Sequence, residues 1–195
     1  MSFRIEEKLF IKHENLIQFK EYLSKKIVKK IHSSRTIKSL YFDNLNLSMY
    51  SDSIEGSVPR KKIRIRHYPD TDDKNYYLEI KNSSVEGRFK TRKIITLNEF
   101  NFYKNNGILD INYGTCLPTF YVKYEREYAL FDNIRISIDQ NIIYKNYKSK
   151  NIFSDNNSIV ELKTNINKDL DELIRDFPFQ KIRFSKYCLA VENLN

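Results

Sequence analysis

The chain has 195 residues, 41% of them hydrophobic, and carries a formal net charge of +9. That is apolar material enough for one real core, which excludes wholesale disorder, and no stretch approaches the length of a membrane-spanning helix. The positive excess calls for an anionic partner: nucleic acid, a membrane surface or a phosphorylated small molecule.

From the N-terminus, residues 3–11 alternate apolar and charged side chains and predict a strand. "ENLIQFKEYLSKKIVKKI" (14–31) spaces Leu16, Phe19, Leu23, Ile27 and Ile31 three or four apart, which predicts a helix with one apolar stripe. A strand follows at 35–43, a short helix at 45–54, and strands at 60–68, 75–81 and 87–96. A helix at 98–104 leads to strands at 119–130, 134–144 and 158–164, then a helix at 167–176. The C-terminal "KIRFSKYCLAVENL" fits either strand or helix. No linker or repeat interrupts the chain, so residues 1–195 read as a single domain. Eight strands with a few helices between them predict an α+β domain on a large, mostly antiparallel sheet, and eight strands can close into a barrel. Cys116 and Cys188 make no motif, and "MSFRIEEKLF" has glutamates where a signal peptide needs an apolar run. Both features point to a cytoplasmic protein with reduced thiols.

The strands share a parity. In "RKKIRIRHY", Arg60, Lys62, Arg64 and Arg66 fall on one face, Ile63 and Ile65 on the other. Arg4, Glu6 and Lys8 oppose Ile5, Leu9 and Ile11. Glu79 and Lys81 oppose Leu78 and Ile80, and Arg88, Lys90 and Arg92 alternate with Phe89 and Thr91. Arg135, Ser137 and Asp139 oppose Ile136 and Ile138, and Glu161 and Lys163 oppose Val160 and Leu162. Tyr124, Arg126 and Tyr128 share a parity as well. For one strand, a wet sheet face explains this pattern. For the set two points count against it: a solvated surface mixes the signs of charge, whereas cations dominate here, and neighbouring like charges repel. The alternative is a charged face turned inward, which requires water or a polyanion. A few carboxylates among the cations then hold a divalent metal against phosphate oxygens.

In their order along the chain, "RIEEKLFI", "SLYFDNLNLSMY", "RKKIRIRHY", "YLEIKN", "GRFKTRK", "YVKYEREY", "RISIDQNI", "IVELKT" and "RFSKY" resemble the triphosphate tunnel metalloenzymes. Within them they resemble the polyphosphate polymerase domain of the vacuolar transporter chaperone (VTC) family. The resemblance implies a tunnel of eight antiparallel strands with a charged interior and flanking helices. It implies phosphate binding by Lys8, Arg64, Arg66, Lys81, Arg126, Arg135 and Lys186, with Lys62, Lys90, Arg92, Lys163 and Ser185 as further substrate contacts. It also implies Mn²⁺ or Mg²⁺ on Glu161, with Glu6 as a helper. Many tunnel enzymes open with Glu-x-Glu-x-Lys; here the first position is Arg4.

The expected activity is transfer of the ATP γ-phosphate to a growing polyphosphate chain, an acceptor that is already an anion and needs no strong base. His13, His32 and His67 fall outside the charged-face set and read as packing or surface residues. Asp43 reads as a strand-end cap, Asp139 as an arginine partner, and Glu79 as a residue that orients Lys81 or a nearby arginine. The alternatives are a tripolyphosphatase or nucleoside triphosphatase of the same fold, and a non-catalytic polyphosphate or RNA binder using Lys20, Lys25, Lys26, Lys29 and Lys30. The expected partners are ATP and polyphosphate or triphosphate rather than nucleic acid.

Overall fold

A computed structural model describes residues 5–26, 29–131, 133–164 and 179–195. The strands are β1 (Ile5–Ile11), β2 (Lys29–Asp43), β3 (Arg60–His67), β4 (Tyr76–Ser84), β5 (Gly87–Ile95), β6 (Ile108–Asp110), β7 (Gly114–Phe131), β8 (Ile134–Asn146), β9 (Ile152–Asp155) and β10 (Ser158–Thr164). The helices are α1 (Leu16–Ser24), α2 (Ser48–Glu55), α3 (Leu97–Asn106) and α4 (Lys186–Leu194). The main hydrogen-bonded path runs β1-β10-β8-β7-β2-β3-β4-β5, with β6 added on β7 and β9 on β8. Pairings β1–β10, β10–β8, β2–β3, β3–β4 and β4–β5 are all antiparallel. This is the eight-strand antiparallel sheet with flanking helices expected from the sequence. The two short extra strands, of three and four residues, are too brief for a period of two to register.

The chain forms two compact units: Met1–Arg35 with Tyr124–Ile142 and Ser154–Phe184, and Thr36–Lys123 with Ile143–Phe153 and Ser185–Asn195. Each has its own core on the apolar parity of its strands. In the first, Leu9 and Ile11 of β1, Ile134, Ile136 and Ile138 of β8, and Val160 and Leu162 of β10 pack against Phe19 and Leu23 of α1. In the second, Leu40, Phe42, Ile63, Ile65 and Ile95 pack with Met49 of α2, Ile108 and Cys116, bordered by Phe100 and Tyr103 of α3. Burial of these faces supplies the dominant stabilisation and leaves the opposite parity for charge.

Two local expectations change. The helix predicted over 14–31 stops at Ser24, and β2 starts at Lys29. Phe19 and Leu23 are buried as the stripe requires, but Ile31 is an exposed strand residue, and Ile27 lies outside the described residues. Ladder hydrogen bonds to β7 override the helix propensity of this lysine-rich stretch. The ambiguous C-terminus is helix α4, with Tyr187, Cys188, Ala190, Val191 and Leu194 buried. The helix predicted at 167–176 lies outside the described residues. Both cysteines are buried and free. Among the described residues, no helix is long and apolar enough to cross a membrane.

Candidate functional site

Cross-strand register turns the repeated parity into two charged clusters, one in each unit. In the first unit, β1–β10 pairing sets Glu6 opposite Lys163 and Lys8 opposite Glu161, and β10–β8 pairing extends those rows to Arg135 and Ser137. Lys163 Nζ lies 2.9 Å from Glu161 Oε1 and 3.6 Å from Glu6 Oε2. Lys8 Nζ lies 3.8 Å from Glu6 and donates to the Phe184 carbonyl at 2.8 Å. Arg126 grips Asp139 with a two-pronged bond, 2.7 Å at Nη2, and the same nitrogen is 3.6 Å from Glu161. Asp139 is therefore the arginine partner expected of it. Arg135 is exposed and makes no ion pair among the described residues.

Glu6 and Glu161 lie against the same Lys163 ammonium and push each other's acidity in opposite directions. Burial, a hydrogen bond to Glu161 and the Glu161 charge push the Glu6 carboxyl above its ordinary range. Burial also acts on Glu161, but the bond from Glu6 and the charges of Arg126, Lys163 and Lys8 outweigh it and hold Glu161 well below that range. Two side-chain carboxyl groups brought to one lysine offer the hard oxygen donors that a divalent cation takes. The described residues gather no group of three or more His, Cys, Asp or Glu side chains. Two carboxyl groups alone would leave most of a divalent ion's coordination to other ligands.

The second cluster is built differently. β3–β4–β5 register aligns Arg64, Glu79 and Arg92 in one row and Lys62, Lys81 and Lys90 in the next. Glu79 is 1% exposed and is the hub. Arg64 donates to Glu79 Oε2 from Nε at 2.8 Å and from Nη2 at 2.6 Å, and Lys90 donates to Oε1. Arg66 stands 3.9 Å from Oε2 and Arg92 3.7 Å from Oε1. Burial would raise the Glu79 pKa; Arg64, Arg66 and Lys90 overwhelm it and hold the carboxyl far below the usual range. Glu79 orients arginines, as expected, while Lys81 occupies the lysine row beside it. Arg92 also lies 3.6 Å from the centroid of the Tyr77 ring, a cation–π contact that fixes its guanidinium.

In the same unit, Ser185 caps α4 by accepting from the Cys188 N–H at 3.3 Å, and it accepts from Lys62 Nζ at 3.0 Å. Lys186 is the first residue of that helix. Asp43 accepts from the backbone N–H groups of Asn44, Met49 and Tyr50, the capping role its strand-end position suggests, and also from the Tyr187 hydroxyl at 2.6 Å. His67 and His32 pack on Tyr76 and Tyr128, in neither cluster. The lysine run proposed for RNA binding makes no single helix face: Lys20 is in α1, Lys25 and Lys26 follow its end, and Lys29 and Lys30 are in β2.

Three contacts were not singled out from sequence: Ser39 accepting from Arg66, Tyr41 accepting from Arg64, and the Tyr187–Asp43 bond. The first two had a signal, because Ser39, Tyr41 and Asp43 share a parity against Leu40 and Phe42. The third joins residues 144 positions apart and leaves no local trace.

Solved structures with this fold include a putative adenylate cyclase from Bacillus halodurans (10% identity, TM-score 0.65, all of both chains covered). Another is a putative adenylyl cyclase from Hippeastrum, described as revealing a dominant triphosphatase activity (15%, 0.59, 97% of this chain and 96% of that one). A conserved hypothetical protein from Pyrococcus furiosus is similar too (17%, 0.55, 89% and 85%). No curated protein matches the chain in sequence. The family profile describing the VTC domain matches residues 3–195, and the chain belongs to that family, with the fold of the triphosphate tunnel proteins.

Proposed function

We propose that the protein is a metal-dependent phosphotransferase that moves the γ-phosphate of ATP onto a growing polyphosphate chain. Membership of the VTC family and the likeness to tunnel-fold triphosphate proteins support phosphoryl chemistry, and enzymes of that fold typically use divalent metals. The observation that carries the proposal is geometric: Lys163 lies 3.6 Å from Glu6 and 2.9 Å from Glu161, with Lys8 and Arg126 beside the two carboxylates. A module that only binds anions gains nothing from two carboxylates set among its lysines and arginines.

Glu161 and Glu6 would hold Mn²⁺ or Mg²⁺, which would supply positive charge against a phosphate substrate. Lys8, Lys163 and Arg126 lie around that pair and act as donors to the oxygens of the transferring group, where charge spreads in a loose transition state. Arg126 is held by Asp139, so its guanidinium is placed before substrate arrives. In the other cluster Arg64, Arg66, Lys81, Lys90 and Arg92 present forked and point-charge donors to phosphate, with Lys62, Ser185 and Lys186 beside them. No base is required, because the acceptor phosphate is ionised, and the absence of histidine from both clusters among the described residues agrees with this.

The test is incubation of the protein with ATP and Mn²⁺, resolving products on a polyphosphate-staining gel with free phosphate assayed in parallel. Long chains with ADP are the expected result. Free phosphate without chains would make the protein a tunnel-fold phosphohydrolase. Tripolyphosphate binding with neither product would overturn the enzymatic reading in favour of a binding module.

A further inference from the structure

Tyr41 is 6% exposed and stands directly opposite Arg64 in the β2–β3 register, in the row that continues to Glu79 and Arg92. Arg64 Nη1 donates to its hydroxyl at 3.0 Å. A phenol oxygen that accepts this bond still has its own proton to give. Among the described residues the hydroxyl donates no hydrogen bond, and the charges that act on it are the cations Arg64, Arg66 and Lys186.

The ring is held in place independently of this bond. It stacks on Tyr187 at 5.3 Å between centroids and 18° between planes, and Tyr187 is tied by its own hydroxyl to Asp43. Asp43 in turn accepts three backbone N–H groups around the start of α2. The Tyr41 oxygen is therefore preorganised, with little side-chain freedom left to lose when a ligand arrives. Burial would raise the Tyr41 pKa, but the charges of Arg64 and Arg66 outweigh it and lower the value, which makes the phenol a stronger hydrogen-bond donor.

We infer that Tyr41 is a further substrate-contacting residue, its hydroxyl donating to a non-bridging oxygen of the phosphate chain that Arg64 binds. The inference rests on the phosphate-handling reading above and deepens it. An oxygen shared by a guanidinium and a phenol receives two differently directed donors, one charged and one neutral. Sulfate or a carboxylate meets Arg64 equally well, but a linear phosphate chain adds oxygens for the lysine row of Lys62, Lys81 and Lys90 two residues along the strands.

The experiment is calorimetric titration of inorganic tripolyphosphate into the wild type, Tyr41→Phe and Tyr187→Phe, with the Tm of each. Tyr41→Phe removes one oxygen and keeps the stacked ring. It should weaken binding roughly tenfold, the lower end for a hydrogen bond to an ionised group, with a Tm drop of only a few degrees from the lost Arg64 bond. In turnover the loss should fall on KM with kcat nearly constant, because the contact exists in ground and transition states alike. Tyr187→Phe should lower Tm and leave the affinity within twofold. Equal affinity of Tyr41→Phe and wild type overturns the inference, and so does an equal loss in Tyr187→Phe, which would assign the effect to packing. If the wild type itself does not bind tripolyphosphate, the phosphate reading falls first and separately.

Discussion

The two charged clusters are made from the same side of the same kind of strand, yet their chemistry differs. Around Glu6 and Glu161, carboxylates and cations are evenly matched, and the two acids lie against one lysine. Around Glu79, one buried carboxylate faces Arg64, Arg66, Lys90 and Arg92. The first arrangement suits a cation that arrives with its ligand. The second suits a polyanion, with Glu79 keeping the cations in order until it comes. A parity rule alone produces both; which carboxylate stands opposite which cation decides what each can do.

The largest expected effect comes from breaking the first cluster's acid pair. Glu161→Gln keeps shape and hydrogen bonding but removes the charge a metal needs, so turnover should fall roughly a thousandfold, the scale of a lost metal contribution. Calorimetric affinity for tripolyphosphate should stay within severalfold of wild type. A matched loss of both would show that the two clusters do not divide the work as proposed.

Glu79→Gln should act on stability first. It leaves four cations without their shared counter-ion, at a cost of about 3 kcal/mol for a broken buried pair, or roughly 10 °C in Tm for a chain of this size. Saturating tripolyphosphate should recover more than half of that loss and shift the variant's Tm further than the wild type's. No recovery would mean that this cluster does not take a polyanion.

Acid titration separates the clusters by sign. Glu79 has its pKa depressed in the fold, so its stabilisation is present above the unfolded carboxyl value and is lost as pH falls through the folded one. Glu6 has its pKa raised, so its contribution is present at low pH and is lost as pH rises through the folded value. Urea midpoints from pH 3 to 7 should therefore show the deficit of Glu79→Gln shrinking below about pH 4.5. Metal-free Glu6→Gln should instead gain on the wild type as pH rises above that range. Parallel curves for both variants would erase the distinction.

The smallest effect is local. Ser185→Ala removes the α4 cap and the Lys62 acceptor, and should cost about 1 kcal/mol. Thermal melts would register this as a drop of roughly 3 °C. A loss several times larger would mean that Lys62 depends on Ser185 for its placement.

Eight strands, their two faces and the charged residues on them could be read from the sequence, because a strand's period of two is written in neighbouring residues such as Arg64, Ile65 and Arg66. So could the ordered motifs that mark the family, and the capping position of Asp43 at the end of "SLYFD". What only the tertiary structure decided depends on register and on distant chain. The Glu79 hub draws cations from β3 and β5 onto a residue of β4, which no single strand reveals. The Glu6–Glu161 pair needs β1 beside β10, some 150 residues later in the chain. The end of α1 at Ser24 was set by a sheet partner in β7, since ladder bonds outweighed the local preference of a lysine-rich stretch. Side-chain alternation is a property of neighbours in sequence, whereas pairing is a property of neighbours in space, and the chemistry of both clusters lies in the pairing.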